Sequence, residues 1–147
     1  MAEFTPFKLQ IMASDHMVFD GNAEVVSLNT TEGSIGILAQ HADIIMAVIP
    51  GILEYVPVSD AEGNHVDTSR QTVVVSDGLL KVENGEVMIL VETAERPEDI
   101  DEARARRAAE KAKEDLKRSR SNREHAIINA ELSRALSRVK ASKNRHK

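Results

Sequence analysis

Hydrophobic positions change their period near Pro97, and this change divides the chain into two parts. Before Pro97, apolar residues alternate with polar ones, as Phe7, Leu9 and Ile11 do, or form short runs between Gly-bearing turns. A period of two is typical of half-buried β-strands. After Pro97, apolar residues recur at spacings of three to five, which is typical of helices. The pattern predicts an all-β unit over residues 1–94, followed by an all-α unit over residues 95–147.

Turn-forming residues separate the apolar runs of the β unit. Asp77-Gly78 and Asn84-Gly85 favour tight hairpins, because such turns need positive φ angles. Gly33 and Gly36 indicate a turn followed by a close approach of two backbones, and Gly21 indicates a turn after an early strand. Short strands at this regular spacing predict an antiparallel sandwich or barrel with a core of Val, Ile and Leu.

The last third of the chain contains no glycine and predicts two helices in series. The first runs from Pro97 to about Arg120, and the second from a capping box that starts at Ser121 to about Ala141. Two apolar stripes are expected to pack these helices as an antiparallel hairpin. The stripes are Ile100, Ala103, Ala108, Ala112 and Leu116 on the first helix, and Ile128, Leu132, Ala135, Leu136 and Val139 on the second.

Charge is distributed unevenly between the two parts. Residues 1–97 carry four basic and fifteen acidic side chains, a net charge of −11, whereas residues 98–147 carry fifteen basic and nine acidic side chains, a net charge of +6. This asymmetry indicates a basic tail that meets nucleic acid, an acidic protein, nucleotide phosphates or the chain's own β unit. A solvated pair of helices with mixed charge is an equally good interpretation.

The sequence predicts no catalytic residues, no metal site and no required cofactor. There is no cysteine, the five histidines lack metal-ligand spacing, and no nucleophile elbow or phosphate-binding loop is present. The longest apolar run, residues 44–49, is far too short to cross a bilayer core of about 30 Å. The amino terminus has neither the basic nor the apolar region of a secretory signal. A soluble cytoplasmic protein is the default expectation.

One cluster in the predicted hairpin suits phosphate binding. Arg134 and Arg138 are four residues apart and share a helix face. In an antiparallel hairpin the end of the second helix lies near the start of the first, so Asp101 and Arg104 are expected beside them. Three guanidinium groups and a carboxylate would form a pocket suited to bidentate phosphate contacts. Ordinary surface charge in a Lys/Arg-rich tail is the alternative interpretation.

Four segments resemble signatures of a known family, the epsilon subunits of the rotary F-type ATP synthase. Val18-Phe19-Asp20-Gly21 resembles the early Y-x-G turn, and residues 33–42 resemble the G-x-x-G-I-L-P-x-H-x-P signature, with Ala39 and Asp43 in place of its prolines. Residues 77–82 resemble the G-G-F-x-x-V hairpin, and residues 95–101 resemble the junction into the C-terminal domain. The resemblance covers essentially the whole chain.

The resemblance implies a ten-stranded antiparallel β-sandwich followed by two antiparallel helices. It implies a non-catalytic subunit whose sandwich binds the gamma subunit and the c-ring, and which thereby couples proton-driven rotation to ATP synthesis. Such a subunit lies at the cytoplasmic side of the cell membrane, peripherally and only through the complex. In many members the helices extend into the catalytic head, meet acidic segments of the alpha and beta subunits, and inhibit ATP hydrolysis.

The resemblance also implies functional residues in the β unit. Contacts to the rotor are expected at Glu32, Ser34, Gly36 and His41. Ser34 stands where some members place an acidic contact to the c-ring, so Glu32 is expected to supply the acidic side chain.

In the helical unit the resemblance implies a regulatory ATP site. Some members close the hairpin with ATP through an [IL]-D-x-x-R-A motif, which residues 100–105 match at every specified position. Lys111 stands where nucleotide-binding members have arginine, and lysine lacks the planar fork of a guanidinium. The residues implied to contact ATP are Glu95, Ile100, Asp101, Arg104, Ala105, Arg134 and Arg138.

A function of another class is the alternative: a free-standing nucleotide sensor, or a nucleic-acid-binding module that uses the basic hairpin. Two features argue against nucleic acid as a partner. The hairpin has no interleaved aromatic residues on which bases could stack, and the β unit is strongly acidic. The favoured interpretation is a non-catalytic coupling and inhibitory subunit.

Overall fold

The computed structural model describes residues 5–118 and 122–144. Contacts between Cα atoms divide the chain into two compact units, residues 1–94 and residues 95–147. The first is the β unit, and the second is the helical unit.

The described residues form nine strands rather than the predicted ten. Their bounds are β1 (Phe7–Ala13), β2 (Met17–Thr30), β3 (Gly33–Ile37), β4 (Ile44–Val48), β5 (Gly51–Asp60), β6 (Gln71–Val75), β7 (Gly78–Glu83), β8 (Glu86–Val91) and β9 (Ala94–Glu95).

The sheet folds over on itself through the long strand β2. The first half of β2 pairs with β1, and its second half pairs with β3 and β5. Hydrogen bonding continues from β1 through β8, β7 and β4 back to β2, where Thr30 lies opposite Val48. All these pairings are antiparallel except that of β1 with β8, which is parallel. β1 and β8 are far apart in the chain, so no hairpin requires them to be antiparallel. The prediction of a purely antiparallel sheet was wrong for this pair of strands.

The core lies between the two layers of this folded sheet. Along β1 every second residue is buried, beginning with Phe7, as the alternation predicted. Val, Ile and Leu dominate the interior, and Tyr55 is its largest fully buried side chain. Its ring centre lies 4.9 Å from that of Phe19.

Two of the predicted turns are present. Asn84 and Gly85 have φ angles of 53° and 78°, and they join β7 to β8 in a two-residue hairpin in which Glu83 lies opposite Glu86. Both angles are positive, as a type I′ turn requires. Gly33, with φ at 109°, ends the turn between β2 and β3.

Three other glycines have roles that differ from the predictions. Gly78 forms no hairpin turn, because it lies within the sheet opposite Val91, where an added Cβ would overlap the Leu90 carbonyl oxygen. Gly21 likewise lies inside β2, and its Cβ would overlap the backbone of β5. Gly36, the predicted point of close approach, has no neighbouring atom within 4 Å of a built Cβ.

The first helix begins later than predicted. A short 3-10 helix occupies Pro97–Asp99, and Ile100 then has extended backbone angles that interrupt the helical path. Helix α1 therefore runs from Glu102 to Arg118. Asp101 caps it, since its Oδ1 atom accepts a hydrogen bond of 3.1 Å from the Arg104 N–H.

The buried stripe of α1 is shifted relative to the prediction. Ala105, Ala109 and Ala112 are buried, whereas Ala103 and Ala108 are exposed. The buried positions follow the regular helical spacing of four and three residues, whereas the predicted stripe began at Ile100, which lies outside the helix. The packing surface is still made mostly of alanine.

Helix α2 runs from Asn122 to Asn144, three residues beyond the predicted end. The predicted capping box begins at Ser121, which lies outside the described residues. Ile128 and Ala135 are buried as predicted, but Leu136 is 44% exposed.

Candidate functional site

An apolar row crosses four strands on the outward side of the β unit. Ala47 on β4 lies opposite Leu79 on β7, and Leu79 lies opposite Leu90 on β8. Met12 on β1 continues the row beside Leu90. Leu79 and Leu90 are 44% and 46% exposed, so this row faces solvent.

A second row lies next to the first on the same strands. Ile45 on β4 is opposite Lys81 on β7, and Lys81 is opposite Met88 on β8. Ile45 is 68% exposed and Met88 is 38% exposed. We call the two rows together the apolar face; its apolar residues are Met12, Ile45, Ala47, Leu79, Met88 and Leu90.

Lys81 is the cation within the apolar face, and it is held by an acid on its own strand. Its Nζ atom lies 2.8 Å from Oε2 of Glu83. The hydrogen bond raises the pKa of Lys81 and lowers the pKa of Glu83. Both groups are therefore charged at neutral pH, and the ion pair directs the ammonium group toward the Glu83 end of β7.

The predicted rotor residues are spread along β3 rather than gathered at one point. Glu32 lies in the turn before the strand, Ser34 and Gly36 are exposed positions two apart within it, and His41 follows it. The imidazole Nδ1 of His41 lies 2.7 Å from the carbonyl oxygen of Ala42. A five-residue strand spans roughly 16 Å, so Glu32 and His41 lie toward opposite ends.

The helical unit contains a cleft of about 330 Å³ between α1 and α2. It contains the predicted pair Arg134 and Arg138 and also Lys111. Its lining residues are Ala108, Lys111, Ala112 and Asp115 on α1, and Glu131, Arg134, Ala135 and Arg138 on α2.

The two arginines of this cleft have unsatisfied hydrogen-bond donors. The Nε atoms of Arg134 and Arg138 are buried and have no hydrogen-bond partner among the described residues. Arg138 uses Nη2 to contact Oε2 of Glu95 at 3.0 Å, and the two side chains are only 21% and 33% exposed. Buried donors without a partner are costly, so an anion that accepted these N–H groups would bind favourably.

Asp101 and Arg104 are not among the residues that line the cleft, and their predicted position beside Arg134 and Arg138 stays a prediction. Asp101 caps α1, and Arg104 is exposed. Ile100 and Ala105 are both buried. The start of α1 lies beside the end of α2, because Oε2 of Glu102 and Oγ of Ser142 are 3.5 Å apart. Residues farther along α1 therefore form the wall of the cleft opposite Arg134 and Arg138.

Sequence reasoning missed two features of these sites. Asp115 lies four residues after Lys111, and Glu131 lies three before Arg134, so helical spacing alone could have placed both acids on the cleft faces. Three of the four strands of the apolar face, β4, β7 and β8, carry apolar residues on both sides, as in Leu79-Leu80, and this departure from alternation was the available signal.

Comparison with known proteins agrees with this architecture. Two family models match the chain: the β-sandwich domain of the ATP synthase delta/epsilon chain over residues 6–97, and the long α-helix domain of the same chain over residues 98–143. The ATP synthase epsilon chain of Ruminiclostridium cellulolyticum is 34% identical over 139 residues, which is 95% of this chain and 97% of that protein.

Two solved structures share the fold at low sequence identity. A chain of the Euglena gracilis mitochondrial ATP synthase (OSCP/F1/c-ring, rotational state 1) has a TM-score of 0.73 at 22% identity, covering 92% of this chain and 81% of that one. A chain of the Tetrahymena thermophila mitochondrial ATP synthase (central stalk/c-ring) has a TM-score of 0.67 at 15% identity, covering 96% and 99%.

A β-sandwich followed by two helices, matched along both parts, defines a delta/epsilon chain of ATP synthase. The chain belongs to this family, as an epsilon subunit of the F-type ATP synthase. The predicted family and fold class are thus confirmed. Over the described ranges, neither α1 nor α2 combines the length and the apolar character needed to cross a bilayer.

Proposed function

We propose that this epsilon subunit is a non-catalytic part of the central stalk that couples proton-driven rotation to ATP synthesis. The apolar face carries this proposal, because it gives the β unit a surface by which to hold the rotor. We assign the gamma subunit as its partner.

The dimensions and chemistry of the apolar face suit a stable contact. Four strands at about 4.8 Å spacing make it roughly 14 Å wide between the outer strands. Exposed apolar patches of this kind mark protein interaction sites. Met12 and Met88 add flexible side chains that adapt to a partner surface. The surrounding β unit is acidic, so basic residues on gamma would favour association.

Binding of the purified gamma subunit tests this assignment. Leu79→Glu places a charge in the middle of the face, and we expect at least about tenfold weaker binding, as for a central interface residue. Leu136→Glu is the matched control, because Leu136 on α2 has the same 44% exposure. Equal binding by wild type and Leu79→Glu would refute the assignment.

The rotor contacts at β3 extend the same proposal to the c-ring. Glu32 lies in the turn between β2 and β3, and Ser34 and Gly36 are exposed positions within β3, where a loop of the membrane sector could reach them. We propose that His41 contacts the rotor from the other end of β3. The subunit would then lie at the cytoplasmic side of the cell membrane, held there through the complex.

The helical unit supplies an inhibitory function. Its net positive charge suits acidic segments of the alpha and beta subunits when the helices extend into the catalytic head. Alanine forms most of its internal packing surface, and alanine buries little area, so separation of the helices costs little free energy. The pairing of Glu102 with Arg106 at 2.7 Å stabilises α1 locally.

ATP is the proposed regulatory ligand that keeps the hairpin closed. The unsatisfied Nε donors of Arg134 and Arg138 support a phosphate site in the cleft. Glu95, Ile100, Asp101, Arg104 and Ala105 would support it from the start of the unit.

Hydrogen exchange across α1 and α2, with and without ATP, tests this role. We expect ATP to slow exchange throughout both helices, because a ligand that binds only the closed state stabilises it. Exchange rates that ATP leaves unchanged would contradict the role.

A further inference from the structure

We infer that oxidation of methionines at the apolar face is a redox switch for assembly of this subunit. Hydrogen peroxide reacts with the free chain at Met12, Met17 and Met88, and the resulting sulfoxides oppose binding to gamma. This inference rests on the proposed contact with gamma and adds a modification site and a form of regulation to it.

Methionine carries all of the sulfur in this chain. The sequence has five methionines and no cysteine, so no thiol competes with them for an oxidant. Oxidation of a side-chain sulfur depends on its exposure. Met17 is 47% exposed and Met88 is 38% exposed, and Met12 is half-buried. Peroxide can therefore reach these side chains in the free chain.

Three of the five methionines lie together on one side of the sheet. Met12 on β1 is directly opposite Met17 on β2 and Leu90 on β8. Met88 precedes Leu90 by two residues, so it points to the same side of β8 and is a diagonal neighbour of Met12. Met12 and Met88 belong to the apolar face, and Met17 adjoins it. One surface, the proposed contact with gamma, therefore carries all three thioethers.

Met46 lies on the opposite side of the sheet. It is paired with Leu80 on β7, which is fully buried, and its side chain packs against the core of the β unit. Met46 is therefore an internal reference for the reaction, and it should be oxidised after the methionines of the outward side.

The reaction transfers one oxygen atom to sulfur. The thioether sulfur attacks one oxygen of hydrogen peroxide, the O–O bond breaks, and the other oxygen takes the proton of the transferred oxygen and leaves as water. Sulfur is oxidised by two electrons and the peroxide is reduced by two. The product is a sulfoxide, which is polar where the thioether was apolar, and a thiol-dependent sulfoxide reductase reverses the step by removing the oxygen as water.

The cost of this oxygen differs between the free and the bound subunit. In the free chain the sulfoxide is hydrated, because the outward side of the sheet faces solvent. Gamma would cover it, and a buried polar oxygen without a hydrogen-bond donor is costly. Oxidation should therefore weaken association and leave the fold unchanged. A subunit that is already bound is protected, because gamma covers the three sulfur atoms, so the switch acts before assembly.

Binding of the oxidised full chain to untreated, purified gamma subunit tests the inference. The chain is treated with hydrogen peroxide, the excess is removed with catalase, and mass spectrometry locates the sulfoxides. We expect Met17 and Met88 to be oxidised before Met46, and the oxidised chain to bind gamma at least about tenfold more weakly. Treatment with a thiol-dependent sulfoxide reductase should restore binding, and the midpoint of urea unfolding should be the same before and after oxidation.

Leucine variants provide the matched controls, because leucine has a volume similar to that of methionine and contains no sulfur. The triple variant Met12→Leu, Met17→Leu and Met88→Leu should bind gamma like wild type, and its binding should survive peroxide. The single variant Met46→Leu should lose binding after peroxide as wild type does.

The possible contrary results separate this inference from the gamma assignment. An oxidised chain that binds gamma as tightly as the untreated chain would overturn the inference and leave the assignment standing. The same holds if the triple variant loses binding after peroxide as wild type does, or if oxidation lowers the midpoint of urea unfolding, because the effect would then arise away from the apolar face. No binding of gamma by the untreated chain would overturn both.

Discussion

Neutralising Glu95 and removing the Arg138 guanidinium are two ways to break one ion pair, and the structure predicts unequal effects. In Glu95→Gln the guanidinium stays in place, 79% shielded from solvent, without its counter-ion. In Arg138→Met the Glu95 carboxylate loses its counter-ion instead, but this side chain is more exposed, at 33%, and a buried Nε–H without a partner disappears with the guanidinium. Glu95→Gln should therefore destabilise the helical unit more than Arg138→Met does.

The expected magnitudes follow from burial. Exposed ion pairs contribute about 0–1 kcal/mol, whereas breaking a buried pair costs about 3–5 kcal/mol. Because this pair is partly buried, Glu95→Gln should lower the opening free energy of the helical unit by about 1–2 kcal/mol. A buried unsatisfied donor costs about 1–3 kcal/mol, so its removal in Arg138→Met should hold the net loss below about 1 kcal/mol.

Hydrogen exchange of α2 amides measures these opening free energies for the helical unit separately from the β unit. Glu95→Gln should accelerate exchange about 5- to 30-fold. The control is Glu54→Gln, which breaks an ion pair between Glu54 and Arg70 in the β unit. The Arg70 and Glu54 side chains are 59% and 38% exposed. Exchange of the α2 amides should not change in this variant. Faster exchange in Arg138→Met than in Glu95→Gln would refute the reasoning.

Three further predictions concern local structure. Gly78→Ala should lower the free energy of unfolding of the β unit by about 1–3 kcal/mol, because the added methyl overlaps the backbone of β8; Gly36→Ala, at an open position, should change it by less than about 0.5 kcal/mol in urea unfolding. Asp101→Ala should destabilise α1 by about 1 kcal/mol through loss of its cap, and Asp101→Asn should restore most of this in hydrogen exchange. Backbone N–H groups, chiefly that of Asn64, hold the pKa of Asp60 below 3.8. The stabilisation of the folded β unit by the Asp60 carboxylate is therefore present above that pH and is lost as pH falls through the lowered pKa. A carboxyl NMR titration would locate this pKa.

Local sequence signals predicted the turns only where the pairing partner is also local. Asn84-Gly85 joins two strands that are adjacent in the chain, so the dipeptide and the hairpin coincide. Asp77-Gly78 carries a similar signal, but β6 pairs with β5 and β7 pairs with β4 and β8. Its glycine lies within β7, where it allows the close approach of Leu90 and Val91 on β8, and it does not form a turn from β6 to β7. The parallel pairing of β1 with β8 could not be predicted from local sequence, because the two strands are far apart in the chain.

The candidate site was predicted in part because helical spacing places Arg134 and Arg138 on one face regardless of tertiary structure. The residues across the cleft depend on the register between two helices, and that register depends on where α1 begins. The interruption at Ile100 and the cap at Asp101 moved that start by several residues. Helical spacing placed Arg104 across from the two arginines, whereas the α1 residues that line the cleft include Lys111.

The apolar face was missed for a different reason. Strands that are buried on both faces also carry apolar residues on both sides. The sequence of β7 therefore did not show whether one of its sides is exposed to solvent. Only the completed sheet shows that Leu79 and Leu90 share an uncovered surface.

ATP hydrolysis by the assembled catalytic head tests the central claim most directly. The head would be reconstituted from alpha, beta and gamma subunits with either the full chain or a chain ending at Arg96, which keeps the apolar face and lacks both helices. We predict that both chains bind gamma and that hydrolysis is faster with the shortened chain, because it lacks the helices that we propose to be inhibitory. Equal hydrolysis rates, with both chains bound, would contradict the account.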